Sequence, residues 1–266
     1  MSGDLMKQEL INKAAKILWD AWRTGQTISE LPKDCRPTNR QNAYDIQTRI
    51  ADLSQSTQIG WKIAATSENG QKHIGASGPL AGRLLANRAK FSGDHLTLGA
   101  NLMAVAEAEY CFRLGSDLPV RETAYSMEEV LNAVDTLHSA IEIPDSRYLD
   151  FITAGEPQLI ADNACASWFV LGPPTTADWR NIDLQKHTVQ VLVNATVVAE
   201  GLGSNVLGDP RIALTWIANE LRHEGIGLKS GEIITTGTCV LPFAIKQADH
   251  IMLDFGQIGQ VNVTLK

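Results

Sequence analysis

Ala104-Val-Ala-Glu-Ala-Glu-Tyr-Cys-Phe112 is the stretch on which the reading of this chain turns. Its side chains alternate with a period of two, which predicts a β-strand. Glu107 and Glu109 then share one face with Val105 and Cys111, while Ala106, Ala108, Tyr110 and Phe112 form the opposite, core-packing face. Residues two apart on a strand are roughly 6.5–7 Å apart. At an effective dielectric near 20, two ionised carboxylates at that distance repel by about 2–2.5 kcal/mol. Water, a shared proton, a basic side chain or a metal has to offset that repulsion. A second predicted strand, His138 to Ile143 and ended by Pro144, sets Glu142 among apolar residues. An acid so placed needs a partner if it is buried. Glu142 brought beside Glu107 and Glu109 would make an all-oxygen site, which suits Mg²⁺ or Mn²⁺ better than zinc or copper. The same pattern also describes the solvated face of an antiparallel sheet with Glu142 at the surface, and the spacing alone favours that reading.

Outward from this strand, the segment from Gln58 alternates again, with Ile59, Trp61 and Ile63 on one side and Gly60, Lys62 and Ala64 on the other. A lysine over such small residues could reach a carboxylate or an enolate, or simply lay its stem on apolar surface with its head in water. Before it, Leu10, Ile11, Ala14, Ile17, Leu18 and Ala21 recur at helical spacing up to Gly25. After a loop from Leu31 to Pro37, Thr38 opens a second helix through Tyr44, Ile46, Ile50 and Leu53. Residues 78–102 predict short strands and turns. Ser126-Met-Glu-Glu129 is a capping box heading a helix with Val130, Ala133, Val134 and Leu137 on one side. Cys165 to Leu171 reads as a buried strand, and Thr188–Glu200 as a hairpin turning near Asn194-Ala195. Asp209-Pro210 starts a helix that Gly225 ends. Glu232–Val240, His250–Phe255 and Gly259–Leu265 are strand-like. The expected class is α+β, with a helical region over residues 1–56 and a β-rich body over 57–266.

Composition narrows the function. The 266 residues are 44% hydrophobic and 20% charged, with 30 acidic against 23 basic side chains and a net charge of −7. That is an ordinary globular composition, and no basic run interleaved with aromatics offers a nucleic-acid surface. No apolar run reaches the roughly 18–20 residues of a membrane span. The charged N-terminus is not a signal peptide, so a cytoplasmic protein is expected. Four cysteines stand apart without any C-x-x-C pair, and six histidines show no metal-ligand spacing. His73, His187 and His223, among polar neighbours, are expected to be exposed. Gly201-Leu-Gly-Ser-Asn-Val-Leu-Gly208 has Val206 where a dinucleotide fingerprint needs its third glycine. No Gly-x-Ser-x-Gly elbow is present.

Gly60-Trp-Lys62, Glu107-Ala-Glu109, Ile141-Glu-Ile-Pro-Asp-Ser-Arg147, Ala161-Asp-Asn163, Val206-Leu-Gly-Asp-Pro210 and Thr236-Gly-Thr238 follow one another in a familiar order. Along nearly its whole length the chain resembles the 2-keto-4-pentenoate (2-hydroxypentadienoate) hydratases and 4-oxalocrotonate decarboxylases of the fumarylacetoacetate hydrolase superfamily. The resemblance implies an N-terminal helical region packed on a mixed β-roll. It implies Glu107, Glu109 and Glu142 as ligands for Mg²⁺ or Mn²⁺, which reverses the preference for a solvated face. It places the family's active-site lysine on Lys62 and makes Thr238 a candidate for holding a substrate carboxylate. Some hydratases carry an acidic residue after the lysine strand where this chain has Ala76-Ser-Gly-Pro79; Ser77 is therefore expected as a substrate contact and not as a carboxylate base.

The implied reaction is hydration of a 2-hydroxy-2,4-dienoate to a 4-hydroxy-2-oxo acid. The metal would chelate the carboxylate and keto oxygens and stabilise enolate charge. Decarboxylation of a 4-oxalocrotonate-type acid needs the same electron sink and is the alternative. Acylpyruvate hydrolysis is weaker, because no His-Glu pair precedes His73 to activate water. A non-catalytic partner subunit of a hydratase–decarboxylase complex is the alternative of another class. The resemblance also implies a homo-oligomer.

Overall fold

The computed structural model describes residues 6–266. The N-terminal apolar stripe becomes α1 (Gln8–Thr24), closed by Gly25 in the left-handed conformation (φ 69°), as glycine at a helix end favours. The second helix, α2 (Arg40–Ser54), starts two residues later than Thr38 suggests. Asn39 is its N-cap and accepts from the Asn42 amide. The chain then runs β1 (Gln58–Ala64), α3 (Glu68–Ile74), β2 (Leu80–Leu85), β3 (Ala89–Phe91), β4 (His95–Leu96) and β5 (Val105–Leu114). Next come α4 (Met127–Asn132), β6 (Val134–Ile143), α5 (Glu156–Ala161), β7 (Trp168–Pro174), β8 (Thr188–Val193) and β9 (Thr196–Leu202). The chain ends with α6 (Pro210–His223), β10 (Ile233–Thr238), β11 (Phe243–Ala244), β12 (His250–Asp254) and β13 (Gln260–Leu265).

The elements pair into two sheets. One follows the order β2-β1-β10-β5-β6-β7-β3 with β11 beside β5, and the other β4-β13-β12-β8-β9. Each strand of the first path sends at least one side chain into a single apolar cluster: Leu84, Ile59, Ile233, Cys111, Ala140, Phe169 with Leu171, and Ala89. A flat sheet could not gather all seven strands around one small cluster, so this sheet curls into a roll with the cluster inside. Ala106, Ala108, Tyr110 and Phe112 face outward into the main core, which also takes in α1, α2 and the second sheet. Both faces of β5 are thus buried, and the solvated-face reading of Glu107-Ala-Glu109 does not apply.

Four local expectations are corrected. The capping box at Ser126 forms, with both reciprocal bonds present, but its helix stops at Asn132. Val134 and Leu137 belong to β6, where pairing with β5 and the β-branched Val134 and Thr136 favour the extended chain. Ile59 does not share a face with Trp61 and Ile63, because a bulge between Gln58 and Gly60 turns it into the roll. At Gly60 a Cβ would lie 1.8 Å from the Ile233 carbonyl oxygen, so only glycine admits this close approach of β1 to β10. The strand expected from Cys165 begins instead at Trp168, because Asn163, Ala164 and Cys165 form a turn with positive φ. His187 is half-buried and shares a 3.0 Å hydrogen bond with the Tyr110 hydroxyl. The hairpin at Asn194-Ala195 and the Asp209-capped helix form as expected.

Candidate active site

The β5–β6 register builds the site. Glu107 stands directly opposite Glu142, and Glu109 lies opposite Ala140 on one side and Thr238 of β10 on the other. Directly opposed residues hold their Cβ atoms about 4.5–5.5 Å apart. One carboxylate oxygen from each of Glu107, Glu109 and Glu142 therefore falls within 4.8 Å of the others, inside the roll. Glu109 and Glu142 are 0% and 1% exposed, and Glu107 is half-buried.

Lys62 reaches this cluster from β1, with its ammonium 2.9 Å from Glu142 Oε1 and only 2% of the residue exposed. Small neighbours let it through: Gly82 lies opposite it in β2, and a Cβ there would press the Lys62 stem at 3.0 Å. Lys62 Nζ also donates to the Ala164 carbonyl at 3.0 Å. That carbonyl points inward because Asn163, Ala164 and Cys165 all adopt left-handed φ, between 50° and 60°.

A buried ion pair supports the turn. Arg147 Nε contacts Asp162 Oδ1, Arg147 donates to the Ala166 carbonyl, and Ser146 Oγ donates to Asp162 Oδ2. The two quoted motifs ending at Arg147 and beginning at Ala161 thus lock together beside Lys62. Breaking such a pair strands a charge, which costs about 3–5 kcal/mol. Asp162→Ala is expected to destabilise the protein by that amount in urea denaturation, whereas a loss under about 1 kcal/mol would mark the pair as exposed in effect.

The electrostatics follow from three acids facing one base. Removal from water, then the charge of Glu142, pushes the Glu107 carboxyl up to about 7 despite Lys62. The same causes, with Glu107 added, hold Glu109 well above the usual carboxylate range. Burial would lower Lys62, but Glu142, Glu107 and Glu109 together hold it above its ordinary value. Gly237 N–H donates to Glu109 Oε2 at 3.0 Å. Gly237 has φ 86°, and a Cβ would meet Thr66 Oγ1 at 2.1 Å, so the amide approaches the carboxylate only from a glycine.

The residues fit a hard divalent cation. All three donors are carboxylates, one lysine leaves the group with excess negative charge, and Glu142 Oε2 is buried without a hydrogen-bond partner among the described residues. The other two sequence candidates lie near the same strand ends. Thr238 closes β10 opposite Glu109, half-buried, with its hydroxyl donating to the Val240 carbonyl. Ser77 is exposed, three residues before Leu80, which pairs with Ala64 just beyond Lys62. Its amide and hydroxyl donate to Glu156 Oε2 at 2.6 and 2.7 Å, and Glu156 in turn pairs with Arg40 at 2.7 Å. The Ala164 carbonyl, the Gly237 amide and Glu156 escape sequence reasoning, since a main-chain group and a lone surface-type acid carry no residue pattern.

Residues 92–266, which carry the three inward carboxylates, match the fumarylacetoacetate (FAA) hydrolase C-terminal family. The chain belongs to that family. It is 30% identical over 257 residues to the 2-keto-4-pentenoate hydratase of Burkholderia vietnamiensis, covering 96% of this chain and 97% of that protein. It is 31% identical over 236 residues to the 2-hydroxyhexa-2,4-dienoate hydratase of Comamonas testosteroni, with 87% and 88% coverage. In fold it is similar to the 4-oxalocrotonate decarboxylase from Pseudomonas putida G7 in complex with magnesium and adipate. The TM-score there is 0.89 at 24% identity, over 99% of this chain and 100% of that one.

Proposed function

We propose that the protein is a metal-dependent hydro-lyase that adds water to a 2-hydroxy-2,4-dienoate to give a 4-hydroxy-2-oxo acid, in the breakdown of aromatic or related compounds. The observation that carries this is the burial of Glu107, Glu109 and Glu142 around Lys62 inside the roll. The hydratase relatives along nearly the full chain support it. Glu107, Glu109 and Glu142 would hold Mg²⁺ or Mn²⁺, and the cation would stabilise negative charge on the keto oxygen of a bound 2-oxo acid.

The chain's own residues do the rest. Lys62, kept charged by its three acidic neighbours and aimed by Ala164, offers N–H to a substrate oxygen or a proton to the reacting carbon. The Gly237 amide fixes Glu109, so the ligand set need not be ordered on binding. Thr238, at the end of β10, would turn its hydroxyl from the Val240 carbonyl to hold the substrate carboxylate. Ser77 contacts the substrate at the mouth, while Glu156 beside it is the carboxylate available to orient water there. The protein would act as a homo-oligomer, alone or with a hydratase or decarboxylase partner subunit, in the cytoplasm. Among the described residues no helix is long and apolar enough to cross a membrane.

A second reading, 4-oxalocrotonate-type decarboxylation, is supported by the likeness in fold to a 4-oxalocrotonate decarboxylase over 99% of this chain. The two separate cleanly. With Mg²⁺, 2-hydroxypenta-2,4-dienoate should lose its dienol absorbance without gas release. Release of CO₂ from 4-oxalocrotonate, with the dienoate left untouched, would reverse the assignment.

A further inference from the structure

At the opposite end of β1 and β10 from the three glutamates, the structure holds a cavity of about 530 Å³. The distance between the two places follows from β10: Thr238 pairs with Glu109, whereas Ile233 at the strand's start pairs with Arg113. Five residues of strand separate the ends by about 17 Å. Gln58, Trp61, Arg83, Lys229, Ser230 and Glu232 give the cavity its polar lining.

Arg83 is the unusual member. It is 8% exposed, yet among the described residues no carboxylate comes within ion-pair distance of its guanidinium. Its terminal nitrogens donate only to neutral groups, Gln58 Oε1 and Thr48 Oγ1, and one face stacks on Trp61, 4.4 Å from the ring centre. Arg83 Nε is buried without a partner, and so is the Trp61 indole nitrogen on the same wall. A buried guanidinium without a counter-ion is costly unless something supplies the negative charge. Asp52 and Glu232 supply it only from beyond ion-pair distance. Glu232 Oε2 accepts from the Lys229 amide at 2.9 Å, and with Arg83 and Lys229 on the lining the cavity remains net positive.

We propose that this cavity is a second ligand site, which binds a small carboxylate anion on the free edge of Arg83. Each terminal guanidinium nitrogen keeps one N–H to spare, a pair that can grip a carboxylate with two hydrogen bonds. Ile59 and Ile226 add apolar lining, which suits an unsaturated or short aliphatic acid. The main chain of Arg83 is itself clamped to Asn163: its amide donates to Asn163 Oδ1 at 2.6 Å, and Asn163 Nδ2 donates to its carbonyl at 2.9 Å. Asn163 precedes Ala164, whose carbonyl holds Lys62, so an anion seated on Arg83 bears on a segment that touches the catalytic lysine.

The test needs a reporter in this cavity, because the site among the glutamates also takes carboxylates under the reading above. The full-length protein labelled with 5-fluorotryptophan gives six fluorine resonances, and Trp61→Phe assigns the relevant one. Titration with succinate should move the Trp61 resonance along a saturating curve, while chloride at matched ionic strength should not. Arg83→Met, which keeps the stem over the indole, should weaken the apparent affinity at least tenfold. Ser230→Asp, an exposed change that sets a negative charge at the rim, should weaken it several-fold while the other five resonances keep their positions. A Trp61 resonance that ignores succinate, or equal affinity in wild type and both variants, would overturn the proposal. Tighter saturation by inorganic phosphate would overturn the assignment to carboxylates. None of these readings depends on turnover, so they stand or fall apart from the hydratase assignment.

Discussion

Glu109→Gln is expected to lower kcat/KM measured with Mg²⁺ by at least about a hundredfold, equivalent to about 2.7 kcal/mol of transition-state stabilisation. The same change should leave the metal-free protein no less stable than wild type. Both expectations come from one environment. Glu109 is fully buried, faces Glu107 and Glu142, and is held well above the usual carboxylate range by burial and by their charge. Glutamine keeps the acceptor oxygen that Gly237 N–H needs, so no buried donor is orphaned. It removes one of three mutually repelling acids, and with it one charged ligand. Thermal melts in a chelator should therefore place the variant at or above wild type. Added Mg²⁺ should raise the wild-type midpoint and raise the variant's by clearly less, since a ligand stabilises only as far as its affinity for the folded state allows. Turnover equal to wild type in this variant would remove the triad from the chemistry.

The alternation in Ala104–Phe112 revealed much of this, and the reason is physical. A strand buried on both faces normally reads as a continuous apolar run. Here the inner face carries Glu107 and Glu109, so a period of two survives although neither face is open to water. The same circumstance hid the burial itself, because an acid in an alternating strand looks solvated until the sheet is known to curl. Curling is a property of all seven strands, and no window of sequence contains it. The β5–β6 register, which sets Glu107 opposite Glu142, was likewise out of reach. The boundary between Asn132 and Val134 is not legible because Val130, Val134 and Leu137 recur at helical spacing, while β6 is buried on both faces and so buries them as well. Main-chain groups were the deepest omission. The Ala164 carbonyl and the Gly237 amide act through left-handed backbone, and Ala164 carries none of the residue signals that announce such a conformation.

Lys62→Ala should separate the two tasks that geometry gives this residue. Lys62 is the one ammonium that ion-pairs with the glutamate cluster among the described residues, and it is held by Glu142 and the Ala164 carbonyl. Its removal leaves Glu142 buried without a counter-ion, a loss of about 3–5 kcal/mol that should appear as a lowered melting midpoint in chelator. A divalent cation would supply the missing positive charge, so Mg²⁺ should restore more stability to the variant than it adds to wild type. Metal affinity should accordingly hold or tighten, measured by calorimetric titration. Turnover should nevertheless fall by about 10²–10⁴-fold, the range lost with a positioned proton donor. The pairing of tighter metal with slower chemistry is what distinguishes a lysine that meets the substrate from one that merely balances charge. If turnover survives while metal binding collapses, Lys62 is a support for the ligand set, and the proton must come from another group at the mouth of the roll, with Glu156 the first to substitute.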